Sequence, residues 1–138
     1  MLKTIVGQRL HLYLPNGWEF DPWITGAGYI EYTLTAGPHE GRHAIQKPKY
    51  RRLAENLEFL GWYEETGTTV TLIWNLDTQI VERFATVPRW LADVDMSISA
   101  GDNQDPEFRA KMAELAAAGP DMPRHVYQDF GYFELSDK

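Results

Sequence analysis

Apolar and polar positions alternate with period two through most of the chain before Pro88, the spacing that sends successive side chains to opposite faces of a strand. Residues 8–14 place Leu10, Leu12 and Leu14 on one side. Asn16-Gly17 then supplies a strong short hairpin signal. Trp18-Glu19-Phe20 opens a second strand, which Pro22 marks as brief or at a sheet edge. After Gly26-Ala27-Gly28, residues 29–35 alternate again, with Ile30, Tyr32 and Leu34 together. Ala36-Gly37-Pro38 breaks that run, and residues 41–45 read as a fourth strand. Residues 47–52 are polar and contain Pro48, so they read as a connection.

The pattern then predicts strands over residues 57–64, 68–74, 79–86 and 93–99, and a final aromatic-rich one over 125–135. Pro88-Arg89-Trp90-Leu91 predicts a short helical turn with proline at its first position. Asp105 is an N-cap candidate, Pro106 follows at the first helical position, and residues 107–118 form the long helix that Gly119-Pro120 stops. About eight or nine short meandering strands with one late helix predict an antiparallel β-barrel, because closure removes exposed edges. That helix would cover one barrel end. The 138 residues suit a single domain over 1–138.

Composition narrows the function. The chain has no cysteine, which excludes disulfides and thiolate chemistry and fits a reducing, cytoplasmic setting. No apolar run is long enough to span a bilayer, and the first residues are too short and polar for a signal peptide. Net charge is −7 and the one basic cluster, residues 47–52, is short, which argues against a nucleic-acid partner. Five Trp, seven Tyr and six Phe can build a core and line a pocket for a flat ligand.

His39-Glu40-Gly41-Arg42-His43 matches the H-E-x-x-H pattern of zinc peptidases. That pattern needs a helix to set both imidazoles on one face, and Gly37-Pro38 and Gly41 oppose a helix here. In extended chain the two histidines would stand about 13 Å apart, too far to share an ion. We therefore expect no metal. Leu60, Trp62 and Glu64 share one face, so an inward strand would end on a carboxyl among rings. Burial disfavours a charged carboxyl, which is how proteins make a general acid. Trp62 and Trp74 also have a simpler reading as core packing.

The ordered set Asn16-Gly17-Trp18-Glu19, Tyr32, Gly41-Arg42, Trp62-x-Glu64-x-Thr66-Gly67-Thr68, Val70, Leu72 and Pro88-x-Trp90 resembles the bacterial phenolic acid decarboxylases. The match covers residues 7–100 well and the remainder loosely. The resemblance implies a lipocalin-like (calycin-type) barrel, no cofactor, a small aromatic substrate and a homodimer. It implies loss of carbon dioxide from a para-hydroxycinnamate through a quinone methide. The family's catalytic glutamate falls on Glu64 and its arginine on Arg42, with Tyr32 and Trp62 beside the substrate. The family's substrate-gripping tyrosines fall on Leu12, Leu14 and Phe20, so the recognition wall is rewritten as apolar. Three other readings stay open: a non-catalytic binder of a small aromatic ligand, a lyase releasing another one-carbon fragment such as formaldehyde from a lignin-type phenol, and a different enzyme, such as an isomerase or hydratase, using Glu64 as acid or base. Arg42 and Glu64 could also be a buried ion pair kept for folding specificity.

Overall fold

The computed structural model describes residues 2–136. Its nine strands are β1 (Leu10–Tyr13), β2 (Glu19–Ile24), β3 (Ile30–Ala36), β4 (His43–Gln46), β5 (Lys49–Ala54), β6 (Leu57–Tyr63), β7 (Thr69–Asn75), β8 (Ile80–Val87) and β9 (His125–Leu135). Two α-helices, α1 (Arg89–Ala92) and α2 (Pro106–Ala118), and a short 3-10 helix (Met96–Ser99) lie between β8 and β9. All strands join one antiparallel sheet in the order β4-β3-β2-β1-β9-β8-β7-β6-β5. Strand alternation therefore does what it predicts: Leu10, Leu12, Leu14, Ile30, Tyr32, Leu34, Leu60 and Leu72 are all buried.

The sheet curls into a barrel without closing its hydrogen-bond ladder. No ladder joins β4 to β5, yet only Lys47 and Pro48 separate them in sequence. So short a link spans at most about 10 Å, which brings the two edges close at that corner. Each edge is protected differently. Along β4, His43 N–H donates to Gly101 C=O (3.2 Å), and the Asn103 side chain pairs with both the N–H and C=O of Ile45 (2.9 and 3.0 Å). Strand β5 is exposed throughout and carries Lys49, Arg51 and Arg52, charges that discourage pairing with another chain.

Three expectations need correction. Residues 47–52 are not merely a connection, since 49–54 form β5. An outward edge strand with both faces wet needs no apolar alternation, so the pattern is silent there. Residues 93–99 are not a strand: Asp95 caps the 3-10 helix by accepting from Ser97 N–H (2.9 Å), a local bond that competes with sheet pairing. Pro22 lies within β2, between β1 and β3, not at an edge. Ile24 N–H donates to Gln8 C=O, and two residues earlier Pro22 simply has no donor for that neighbour.

Two cores fill the barrel. One packs Trp74 edge-on against Phe133 (5.0 Å between ring centres) with Ile5, Leu60 and Val81, so Trp74 is core. The other sets Val87, Trp90, Leu91 and Met112 together beneath the helices. Met112 is the buried residue of α2, which covers that end as a surface helix. Gly131 of β9 lets β1 cross closely: a Cβ there would stand 1.9 Å from the Tyr13 carbonyl oxygen. Outside, Phe84, Phe130 and Tyr132 are exposed.

Candidate active site

Glu64 follows β6 directly and keeps that strand's inward parity with Leu60 and Trp62, while Tyr63 between them is 81% exposed. A tight turn holds it. Glu64 N–H donates to Thr68 C=O (2.8 Å) and Gly67 N–H donates to Glu64 C=O (2.9 Å). Gly67 takes φ +89°, the left-handed conformation this reversal needs and glycine adopts freely. Arg42 comes from the other edge. The 37–42 loop folds back on β3, with Leu34 N–H donating to Arg42 C=O (2.9 Å), so Arg42 also points inward.

Across the gap between the sheet edges these side chains meet. The Tyr32 hydroxyl donates to Glu64 Oε2 (2.5 Å), the Trp62 indole N–H to the same oxygen (3.0 Å), and Arg42 Nη2 to Oε1 (3.5 Å). Glu64 thus accepts from three donors, the contacts that suit a carboxylate. Arg42, 2% exposed, grips Glu65 with both terminal nitrogens (2.7 and 3.1 Å) and donates to Ser99 C=O (3.1 Å). Asn103 Nδ2 completes the frame on Glu65 (3.2 Å).

The electrostatics follow from these contacts. Burial raises the Tyr32 phenol well above its usual range, and the Glu64 charge adds to this, so Tyr32 stays a proton donor. Burial opposes the charge on Arg42, but Tyr32, Glu64 and Glu65 outweigh it and hold the guanidinium ionised. Burial likewise works against the Glu65 charge, yet Arg42 prevails and keeps that carboxyl below its usual range.

A narrow cavity of about 50 Å³, partly open to solvent, lies beside this cluster. Leu12, Leu14, Phe20, Tyr32, Trp62 and Glu64 all line it, so the structure brings every sequence-predicted site residue to one place. Phe20 stacks on Tyr32 with ring centres 5.9 Å apart. His11 and Tyr13 face outward instead, bonded to Asp21 and Glu134 respectively. The H-E-x-x-H pair is split. His39 lines the cavity, and His43 sits outside between Glu31 (2.7 Å) and Asp102 (2.9 Å).

Among the wall residues that sequence reasoning did not propose for the site are Trp18, His39, Arg83 and Tyr127. Arg83 was detectable, because it shares the inward parity of Val81 and Ala85 in β8 and a charge in an apolar stripe asks for a reason. Met96 and Ser99 also close the cavity, from the segment whose pattern suggested a strand.

The family model for phenolic acid decarboxylase matches residues 2–137. The chain belongs to the phenolic acid decarboxylase family. A Vibrio cholerae protein provisionally named a phenolic acid decarboxylase is 27% identical over 130 residues, 94% of this chain and 73% of that one. The phenolic acid decarboxylase PadC of Bacillus subtilis is 25% identical over 91 residues, 65% of this chain and 56% of that protein. Among solved structures, one from Burkholderia vietnamiensis, provisionally named a beta-lactamase, superposes with a TM-score of 0.65 at 14% identity. It covers 99% of this chain and 100% of that one, and at such identity the likeness is one of fold.

Proposed function

We propose that this family member is a carbon–carbon lyase acting on a phenol with an unsaturated side chain, with Glu64 as its proton-transfer group. The observation that carries the reading is a carboxylate held by three donors at the wall of a ring-lined cavity. Family membership supports the reaction class.

The chemistry asks for no metal or cofactor. Electron density from the para oxygen reaches the side chain through the ring. Glu64, once protonated, protonates the carbon that bears the departing fragment, and the product of that step is a quinone methide. The bond to the fragment then breaks, its electron pair forms the vinyl group, and the ring regains its aromaticity. Because the resting contacts of Glu64 are all accepted ones, the proton it passes on arrives with substrate or from solvent. Arg42 anchors Glu64 by a charge-assisted hydrogen bond. Tyr32 and Trp62 orient Glu64, and Leu12, Leu14 and Phe20 form the apolar wall against the ring.

The test is a panel of phenolic acids and lignin-type phenols followed by mass spectrometry for loss of a one-carbon fragment. Glu64→Gln should lower turnover by about 10²–10⁴-fold while ligands still bind. Arg42→Ala should weaken both. If the two variants convert every phenol as the parent does, the assignment of these residues fails. Binding without product in the parent protein would instead establish the non-catalytic binder.

A further inference from the structure

Away from the Glu64 cluster the same cavity has a second polar pole. Arg83, buried on β8, is clamped on Asp129 by Nε (2.8 Å) and Nη2 (2.7 Å) and lies against the rings of Trp18 (5.2 Å) and Tyr127 (4.9 Å). Asp129 occupies one edge of the guanidinium fork, and Nη1 makes no hydrogen bond among the described residues. The two cavity arginines differ in this. Both terminal nitrogens of Arg42 are engaged, by Glu65, Ser99 C=O and Glu64. Arg83 lines the cavity, whereas its counter-ion Asp129 is about one-quarter exposed to solvent. His39, 8% exposed, packs edge-on to Trp18 (4.8 Å), and its Nδ1 is buried without a partner. Burial first, then the charges of Arg42 and Arg83, push its imidazole down to about 4, so it is neutral at ordinary pH and can carry its proton on Nδ1. The pole therefore offers N–H groups that no described residue accepts from, and such groups inside a protein call for a partner.

Strand register sets this pole apart from Glu64. Arg83 pairs with Leu72 and Leu72 with Leu60, while Glu64 stands four residues beyond Leu60, just past the end of β6. On a flat sheet the two backbones would stand about 16 Å apart, a span that the curl shortens and the two side chains bridge in part. In the reaction proposed above, the carbon that takes the Glu64 proton is bonded directly to the departing fragment. That fragment therefore stays beside Glu64. The end of the molecule left for Arg83 is the phenol oxygen, a ring and a double bond away.

Resting on that lyase reading, we infer that Arg83 binds the substrate's para oxygen as the phenolate, with His39 donating to the same oxygen. The electron-supplying end of the substrate is fixed at this pole and its side chain at Glu64. The phenol proton leaves to solvent as the phenolate binds. The oxygen's electrons enter the ring when Glu64 protonates the side-chain carbon, and they return to oxygen when the fragment departs. Leu12, Leu14 and Phe20 bring no donor to the wall, and Arg83 supplies one that carries a charge. Burial alone raises a phenol, as it does Tyr32, whereas a guanidinium N–H aimed at the oxygen lowers one. The direction of the change on binding therefore tells the two surroundings apart.

The probe is 4-hydroxyacetophenone, whose phenolate has its own ultraviolet band and which has no fragment to lose; 4-methoxyacetophenone is its uncharged control. With the unmodified protein in excess, the bound phenol should ionise about one pH unit lower than in water, which is phenolate binding about tenfold tighter than phenol. Arg83→Gln, checked for folding by circular dichroism, should abolish that shift and leave the affinity for the methoxy compound unchanged. Asp129→Asn keeps the guanidinium but removes its counter-ion, so the phenol should ionise lower still; this variant decides the matter if Arg83→Gln does not fold. A bound phenol that ionises as in water or higher, a shift that survives Arg83→Gln, an Asp129→Asn protein that matches the parent, or no binding overturns the inference. Mass spectrometry of 4-hydroxycinnamate incubated with the protein separates this from the lyase reading. The expected shift without any product would sink the lyase and leave phenolate binding at Arg83 standing. Product formed with an unshifted phenol, at a rate indifferent to Arg83→Gln, would do the opposite.

Discussion

Glu58 and Glu64 stand near the two ends of β6, with the same inward parity, and they do different things. Glu58 is 0% exposed and saturated. It accepts from Ile5 N–H (2.7 Å), from the Thr4 hydroxyl shared between its two oxygens (3.1 and 2.9 Å), from Arg52 Nη2 (3.1 Å) and from the Tyr50 hydroxyl. These partners tie the N-terminal segment and β5 to β6, and they enclose the carboxylate completely. Glu64 also has its donors, but they leave it at the wall of an open space. The comparison teaches that a charge in an apolar stripe marks a special place without telling its kind. What separates a structural acid from a reactive one is whether room for a ligand remains once the donors are in place.

The largest effect should come from breaking the structural end. Glu58→Ala strands the Ile5 N–H and releases Tyr50 and Arg52, and it should cost about 3–5 kcal/mol in denaturant unfolding. A loss below 1 kcal/mol would show that Glu58 is no anchor. The His39 pole comes next. With a folded value of about 4 against 6.5 unfolded, the unfolded chain binds more protons between those pH values. The stability His39 permits is therefore complete above pH 6.5 and falls as pH drops towards 4, by on the order of 3 kcal/mol. Parallel unfolding curves of the parent and His39→Phe check it: the parent should lose more between pH 6.5 and 4, and equal losses would refute it.

At the reactive end, Glu64→Gln should change stability by about 1 kcal/mol or less, because an isosteric amide keeps an acceptor for Tyr32 and Trp62. A destabilisation matching that of Glu58→Ala would make the two ends alike and remove the distinction. The smallest change is expected at His43. Hydrogen bonding to Glu31 comes first among the causes that raise its value, against some opposition from burial. Its contribution is therefore full below pH 6.5 and lost as pH rises through the raised value, the reverse of His39. Because His43 is about one-third exposed, His43→Ala should cost under about 1 kcal/mol at pH 5 and nothing at pH 9.

The alternating stripes were legible because a strand has only two faces. Once Leu10, Leu12 and Leu14 point inward, His11 and Tyr13 must point out. The same parity put Trp62 and Glu64 on the cavity wall and would have exposed Glu58 and Arg83 had every charged inward position been questioned. Strand β5 and the 3-10 helix were hidden for a different reason. Neither carries a periodic apolar face, and their shapes come from what they lie against: β5 from its ladder with β6, the 3-10 helix from its Asp95 cap and its position over Arg42.

Local pattern settles direction, in or out, because pleating is a property of each short segment. It therefore determined the strands, their buried faces and the candidates Arg42 and Glu64. It could not decide which residues from distant strands share a space. Arg42 meets Glu64 and Glu65 only because the sheet curls until its edges approach, and His39 joins Arg83 and Trp18 only across the barrel. Those pairings depend on curvature and on where the packed core stops, which are sums over the whole chain that no window of sequence contains.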